Sequence, residues 1–162
     1  MNKYLIAFFA LTVGCDDSNV IPKSGKWSYS NFDYDPNGCN LLPPEKEYPF
    51  QLEVIDRDTI ELIYEDEEQV CVLSMGAYDC ETRTEEIDLA VEIGVDAVIT
   101  EEIRVTGSFS DDMTGTEANT ISLSCEGEAC ADLTVGGDEE SGMEGVPMPC
   151  TSTRNADISW SE

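Results

Sequence analysis

Apolar residues in this chain recur at every second position, in short runs cut off by turn formers, and a period of two belongs to a strand with one buried face. Phe50, Leu52 and Val54 alternate with Gln51, Glu53 and Ile55; after a tight turn at Asp56, Arg57 and Asp58, Ile60, Leu62 and Tyr64 alternate with Glu61, Ile63 and Glu65. That pattern predicts a hairpin. Before it, residues 26–33 carry Trp27, Tyr29 and Phe32 and end at Asp35, Pro36, Asn37 and Gly38, where proline fixes φ and Asn-Gly accepts a positive one. Further on, Ile87, Leu89, Val91, Ile93 and Val95 alternate with Asp88, Ala90, Glu92, Gly94 and Asp96, which reads as a strand turning near Gly94. A capping box over Thr82 and Glu85 offers a helix as the rival, but the β-branched residues favour the strand. Residues 98–110 form a long strand with Ile99, Ile103, Val105 and Phe109 on one face. Asp111, Asp112, Met113, Thr114 and Gly115 turn it back, and residues 116–125 return with Ile121, Leu123 and Cys125 in register. Leu133 and Val135 mark a short strand, residues 136–146 an acidic Gly-rich loop, and Ile158 with Trp160 a closing strand. Eight to ten such strands, joined mostly by hairpins, predict an all-β domain, an antiparallel up-and-down meander curled into a small barrel or a sandwich.

The chain opens differently. Lys3 supplies a positive start, residues 4–13 an apolar centre too short to span a bilayer, and Gly14 a small residue before Cys15, which together make a secretory signal. Leu11, Thr12, Val13, Gly14 and Cys15 resemble the lipobox of bacterial lipoproteins, with Leu11 one place earlier than that family has its aliphatic residue. The resemblance implies that residues 1–14 are removed, that Cys15 is diacylated as the new N-terminus, and that the protein is exported and lipid-anchored to a bacterial membrane. Asp16, directly after it, resembles the inner-membrane retention signal of some enteric bacteria. Residues 15–24 then read as lipidated cysteine and polar tether, and 25–162 as one β domain, a usual length for a single domain.

Setting Cys15 aside leaves Cys39, Cys71, Cys80, Cys125, Cys130 and Cys150, an even set for which an oxidising compartment makes three disulfides the expectation. A two-residue loop at Met75 and Gly76 makes Cys71 face Cys80 as a non-hydrogen-bonded pair, close enough to bridge. The same count over Cys125 and Cys130 places Gly127 first in a type II′ turn. By exclusion Cys39 pairs with Cys150.

Thirty-five acidic residues against eight basic ones give a net charge of −27, or −28 once Lys3 leaves with the signal. Nucleic acid and anionic headgroups are disfavoured, because binding them requires clustered Lys and Arg. With no histidine in the chain, Ser-His-Asp and Cys-His catalysis and imidazole zinc sites are excluded. Asp33, Asp35, Asn37 and Gly38 match the opening of an EF-hand calcium loop, but Pro44 stands at its twelfth place and Pro36 interrupts its middle, so the same residues read better as a β-turn that needs no metal. The other acidic groups, such as Glu65 to Glu68, Asp111 with Asp112, and residues 138–140, read as solvated loops and edges, open to weak divalent cation binding.

Gly25, Lys26 and Trp27 resemble the Gly-x-Trp that begins the first strand of lipocalins and related calycin barrels, and the resemblance implies that Trp27 plugs a closed barrel end. Three functional readings follow. The first, which the lack of catalytic residues favours, is a non-catalytic envelope lipoprotein whose barrel is a scaffold for contacts with an envelope protein or glycan, needing no cofactor. The second is a lipocalin-like carrier of a small apolar ligand, and the third a carboxylate-based hydrolase, which would need paired carboxyls, one with a raised pKa.

Overall fold

The computed structural model describes residues 20–35, 38–39, 49–65, 67–136 and 144–161. They form β1 (Gly25–Tyr34), β2 (Phe50–Val54), β3 (Thr59–Tyr64), β4 (Glu67–Ser74), β5 (Ala77–Cys80), β6 (Arg83–Asp88), β7 (Val98–Phe109), β8 (Thr114–Glu126), β9 (Thr134–Val135), β10 (Val146–Pro147) and β11 (Cys150–Ser161). A four-residue helix α1 (Leu89–Glu92) and a 3-10 turn over Glu128–Asp132 complete them. Eight strands close a ring in the order β1, β2, β3, β4, β5, β7, β8, β11, each antiparallel to its neighbours, so the meander is an up-and-down barrel. β6 lies outside the ring, on the part of β7 that runs past the end of β5, and β9 pairs with β10.

Register follows the alternation. Leu52 faces Leu62 across the first hairpin, and Leu73 faces Tyr78 across the second, which turns at Met75 and Gly76, both at positive φ as a type I′ turn requires. Cys71 and Cys80 approach to 3.7 Å between Cα atoms and are bonded; Cys125 is bonded to Cys130, and Cys39 to Cys150. Three local readings change. The alternation through Ile87 to Val95 is a strand only as far as Asp88. Asp88 then accepts the Ala90 N–H at 2.9 Å and starts α1, leaving Val91 and Ile93 exposed. The helix therefore starts beyond Thr82 and Glu85, which lie before and within β6. Cys125 and Cys130 are joined through the 3-10 turn rather than a II′ hairpin. The closing strand is β11, twelve residues long and hydrogen-bonded on both sides, to β1 and β8.

The two ends of the barrel differ. At the lower end, where β1 begins, residues 20–24 lie across the opening and pack on the barrel. Val20 packs on the core, the Lys23 N–H donates to the Asp112 carbonyl at 2.7 Å, and Ser24 Oγ accepts the Val54 N–H at 3.0 Å. Trp27 is fully buried beneath them and its indole N–H donates to the Lys23 carbonyl at 3.0 Å. Leu52, Ile60, Leu62, Leu73, Phe109 and Ile158 join it in the core. At the upper end, where β1 ends and β11 begins, the inward positions carry Ile103, Asn119, Ile121, Ser152 and Arg154, all of which keep partial contact with solvent.

Candidate functional site

One charged side chain is buried among the described residues: Glu117, with 3% of its surface exposed. Its position follows from the pleat of β8, where Gly115, Glu117, Asn119, Ile121 and Leu123 share the inward face. Glu117 stands in one row across four strands, with Tyr78 on β5, Gly107 on β7 and Ala156 on β11. Its two immediate neighbours in that row are small, which leaves room over them for larger side chains to reach the carboxylate. A Cβ at Gly107 would stand 2.3 Å from the Tyr78 ring, so the glycine is what lets that tyrosine lie across β7.

Three phenols converge there. Tyr29 donates its hydroxyl hydrogen to Glu117 Oε1 at 2.8 Å; Tyr78 and Tyr64 donate to Oε2 at 3.0 and 3.4 Å. Tyr29 comes from the inward face of β1, Tyr64 from the end of β3 and Tyr78 from β5, so the cluster ties β8 to three other staves of the barrel. Phe50 packs between two of them, with ring centroids 5.0 Å from Tyr29 and 5.6 Å from Tyr64. One inward step above Glu117, Asn119 faces Arg154 of β11. The Arg154 guanidinium lies 5.4 Å from the Tyr29 ring centre and 5.9 Å from that of Phe32. A bulge in β1 between Ser30 and Asp33, with Asn31 at φ 52°, shifts the register and brings Phe32 into this group.

Burial pushes the Glu117 carboxyl above its ordinary range, outweighing the phenolic hydrogen bonds and the Arg154 charge, which pull it down. Burial also raises Tyr29, Tyr64 and Tyr78, each further raised by the adjacent Glu117 charge, so all three stay protonated as donors. The cluster is thus a carboxyl ringed by neutral donors beside one guanidinium. The amide oxygen of Asn119 is buried with no hydrogen-bond partner among the described residues, an acceptor left over inside the barrel.

The residues singled out by sequence lie elsewhere. Cys15 and Asn37 fall outside the described residues. Asp33 is an exposed strand residue opposite Asn155, and the exposed Asp35 gives its N–H to the Thr153 carbonyl at 3.0 Å. No group of three or more acidic, Cys or His side chains able to hold a metal occurs among the described residues. Glu67 pairs with Arg83, and Asp111 accepts the Met113 N–H and the Thr114 hydroxyl, both at 2.8 Å, which hold its carboxyl below the usual range. Of the acidic loop, only residues 136 and 144–146 are described. A hollow of about 530 Å³ lies on the outer side of β4 and β5, with Val72, Ala77, Asp79 and Arg104 in its wall, where Arg104 is ion-paired with Asp79. That pair is exposed and the hollow is open to solvent, so the convergent chemistry is inside, at Glu117. Sequence reasoning passed over Glu117, yet the signal was present: carrying the face of Ile121 and Leu123 back by twos reaches Asn119 and then Glu117.

Compared with known protein families, curated proteins and solved structures, the chain matches none of them.

Proposed function

We propose that this chain is an exported, lipid-anchored envelope protein whose barrel carries a small, largely apolar ligand, taken in through the upper end without chemical change. The observation that supports this reading is the polar cluster in the barrel interior. A scaffold does not require it, since filling the same space with aliphatic side chains is often neutral or stabilising relative to a buried polar cluster. Ligand sites, by contrast, combine apolar and aromatic walls with a few placed polar groups that fix orientation. Here the walls are aromatic, with Tyr29, Phe32, Phe50 and Tyr64, and the polar groups are Arg154 and the Asn119 amide, its oxygen without a partner among the described residues, above a Glu117 already satisfied by phenols. The partners of Glu117 are phenols and a guanidinium rather than a second carboxylate, which favours binding over acid-base hydrolysis.

The anchor rests on the Leu11-to-Cys15 motif. Native mass spectrometry of protein extracted from its own membrane, followed by titration with a fluorescent fatty acid, tests the carrier. The reading predicts a bound mass, or saturable probe binding near one per barrel that Asn119→Leu and Arg154→Met both weaken. Probe binding untouched by either substitution, with no bound mass, would remove it. For the anchor, Cys15→Ser should release the protein from the membrane fraction or block removal of the signal.

A further inference from the structure

We propose that β6 is a docking edge for a basic, extended segment of another protein, added as a further antiparallel strand. β6 ends the nine-stranded sheet, pairing with β7 on one side and, among the described residues, with nothing on the other. Residues 84–88 are all exposed. The backbone polarity of that edge can be read from the bond beyond it. The Leu89 N–H donates to the Ala97 carbonyl at 2.9 Å, in register with the pairs from Arg83 opposite Ile103 to Asp88 opposite Val98. Alternation then turns the N–H and C=O groups of Arg83, Glu85 and Ile87 toward β7 and those of Thr84 and Glu86 outward. Open donors and acceptors on an exposed strand are a template for strand addition.

Side chains decide what can take the place. On one face of the β6–β7 pair stand Glu86, Asp88 and Glu102, with no base among them. On the other stand Ile87, Ile99 and Ile103, beside Glu85 and Glu101, with Arg83 already paired to Glu67 and Glu85. Ile87 is 37% exposed, and just beyond the strand Val91 and Ile93 are 82% and 68% exposed. A strand with Lys or Arg at alternate places and apolar residues between them matches both faces. A second copy of this chain does not: its net charge of −27 repels, and antiparallel β6 against β6 would set Glu85 opposite Glu85, or Glu86 opposite Glu86, of the other copy. Acid on the edge thus excludes self-association while leaving the edge open to a cationic strand. This inference does not depend on what the barrel interior holds.

The probe is a Lys-Val-Lys-Val-Lys-Val peptide with blocked ends, with binding followed by fluorescence anisotropy and amide exchange read at Thr84 and Glu86. In antiparallel addition the lysines share the face of Glu86 and Asp88, and their own N–H groups point at β6. Peptide N-methylated on the lysine amides should bind at least about tenfold more weakly than peptide N-methylated on the valine amides, though both carry the same charge. Thr84→Pro removes an edge donor without touching the β7 ladder or the charge, and should weaken the unmethylated peptide about tenfold while leaving the thermal midpoint nearly unchanged. Slowed exchange at Thr84 and Glu86 completes the expected result. Equal binding of the two methylated peptides would overturn the proposal, showing adhesion by charge alone, and that comparison decides the matter even if the proline variant does not fold.

Discussion

Tyr29, Tyr64 and Tyr78 all donate to Glu117, so Glu117→Ala removes an acceptor shared by three hydroxyls and should cost about 3 kcal/mol or more, whereas Tyr78→Phe removes one donor of three and should cost about 1–2 kcal/mol. Chemical denaturation of both variants checks the ratio; equal losses would mean the hydroxyls do not share the carboxylate. The same groups set a pH dependence at both ends. With its folded pKa above the ordinary 4.5, native Glu117 keeps its proton after the unfolded chain has lost it, so its contribution falls as pH rises through that window and returns in acid. Tyr29, Tyr64 and Tyr78 are raised above 10.0: below that pH both states hold the protons, and above it the unfolded state releases them first, so stability falls. In a base titration these three should ionise only in the cooperative step that also removes the barrel's circular dichroism. Tyrosinate absorbance rising from them before that step would mean that water reaches the cluster. None of this is visible in composition, where Glu117 is one of thirty-five acids; only its place in the pleat of β8 distinguishes it.

At the scale of elements, the alternation was most legible where both strands of a pair are paired inside the barrel. The hairpin around Asp56 to Asp58 forms as its alternation predicts, and the one at Met75 and Gly76 has the register that counting outward from the turn predicts. It failed where packing gives it no anchor. Ile87 to Val95 alternate as well as any strand, yet beyond Asp88 no strand among the described residues pairs with them, and a capped turn of helix replaces the extended chain. The strand-favouring residues Val91 and Ile93 then end on the surface, a reminder that β propensity measures the fit to a half-buried face more than the backbone itself. At Cys125 to Cys130 the sequence correctly marked Gly127 as needing a special φ but assigned it to the wrong structure. Gly127 has φ 133° and leads into the 3-10 turn, and a Cβ there would stand 2.4 Å from the Asp96 carbonyl. The Ala129 N–H donates to that same carbonyl at 3.1 Å. Gly127→Ala must therefore strain the backbone and separate the two segments, a loss of about 2–3 kcal/mol in thermal or chemical unfolding. A variant as stable as the parent would show that this contact carries no weight.

Across the whole molecule, long-range ties work against a large uniform charge. The Cys39–Cys150 bridge spans 111 residues of sequence, and closing such a loop should stabilise by about 4–5 kcal/mol through lost freedom in the unfolded chain. The double substitution Cys39→Ser with Cys150→Ser reads that value directly, and a loss below about 1 kcal/mol would place the constraint elsewhere. Opposing it, thirty-five acids stand against eight bases, and the ion pairs Arg83–Glu67, Arg83–Glu85 and Arg104–Asp79 are all exposed to water, so each contributes little. Compacting so many like charges is unfavourable, and salt relieves it as the screening length shrinks from about 30 Å at 0.01 M to about 10 Å at 0.1 M. The melting temperature should therefore climb steadily over that range, because more repulsions than attractions are screened. If ion pairs dominated instead, the same salt would lower it. Repeating the series after replacing several surface acids by their amides, as in Glu101→Gln, Glu102→Gln and Asp112→Asn, should flatten the salt dependence; an unchanged slope would have to arise from something other than carboxylate repulsion.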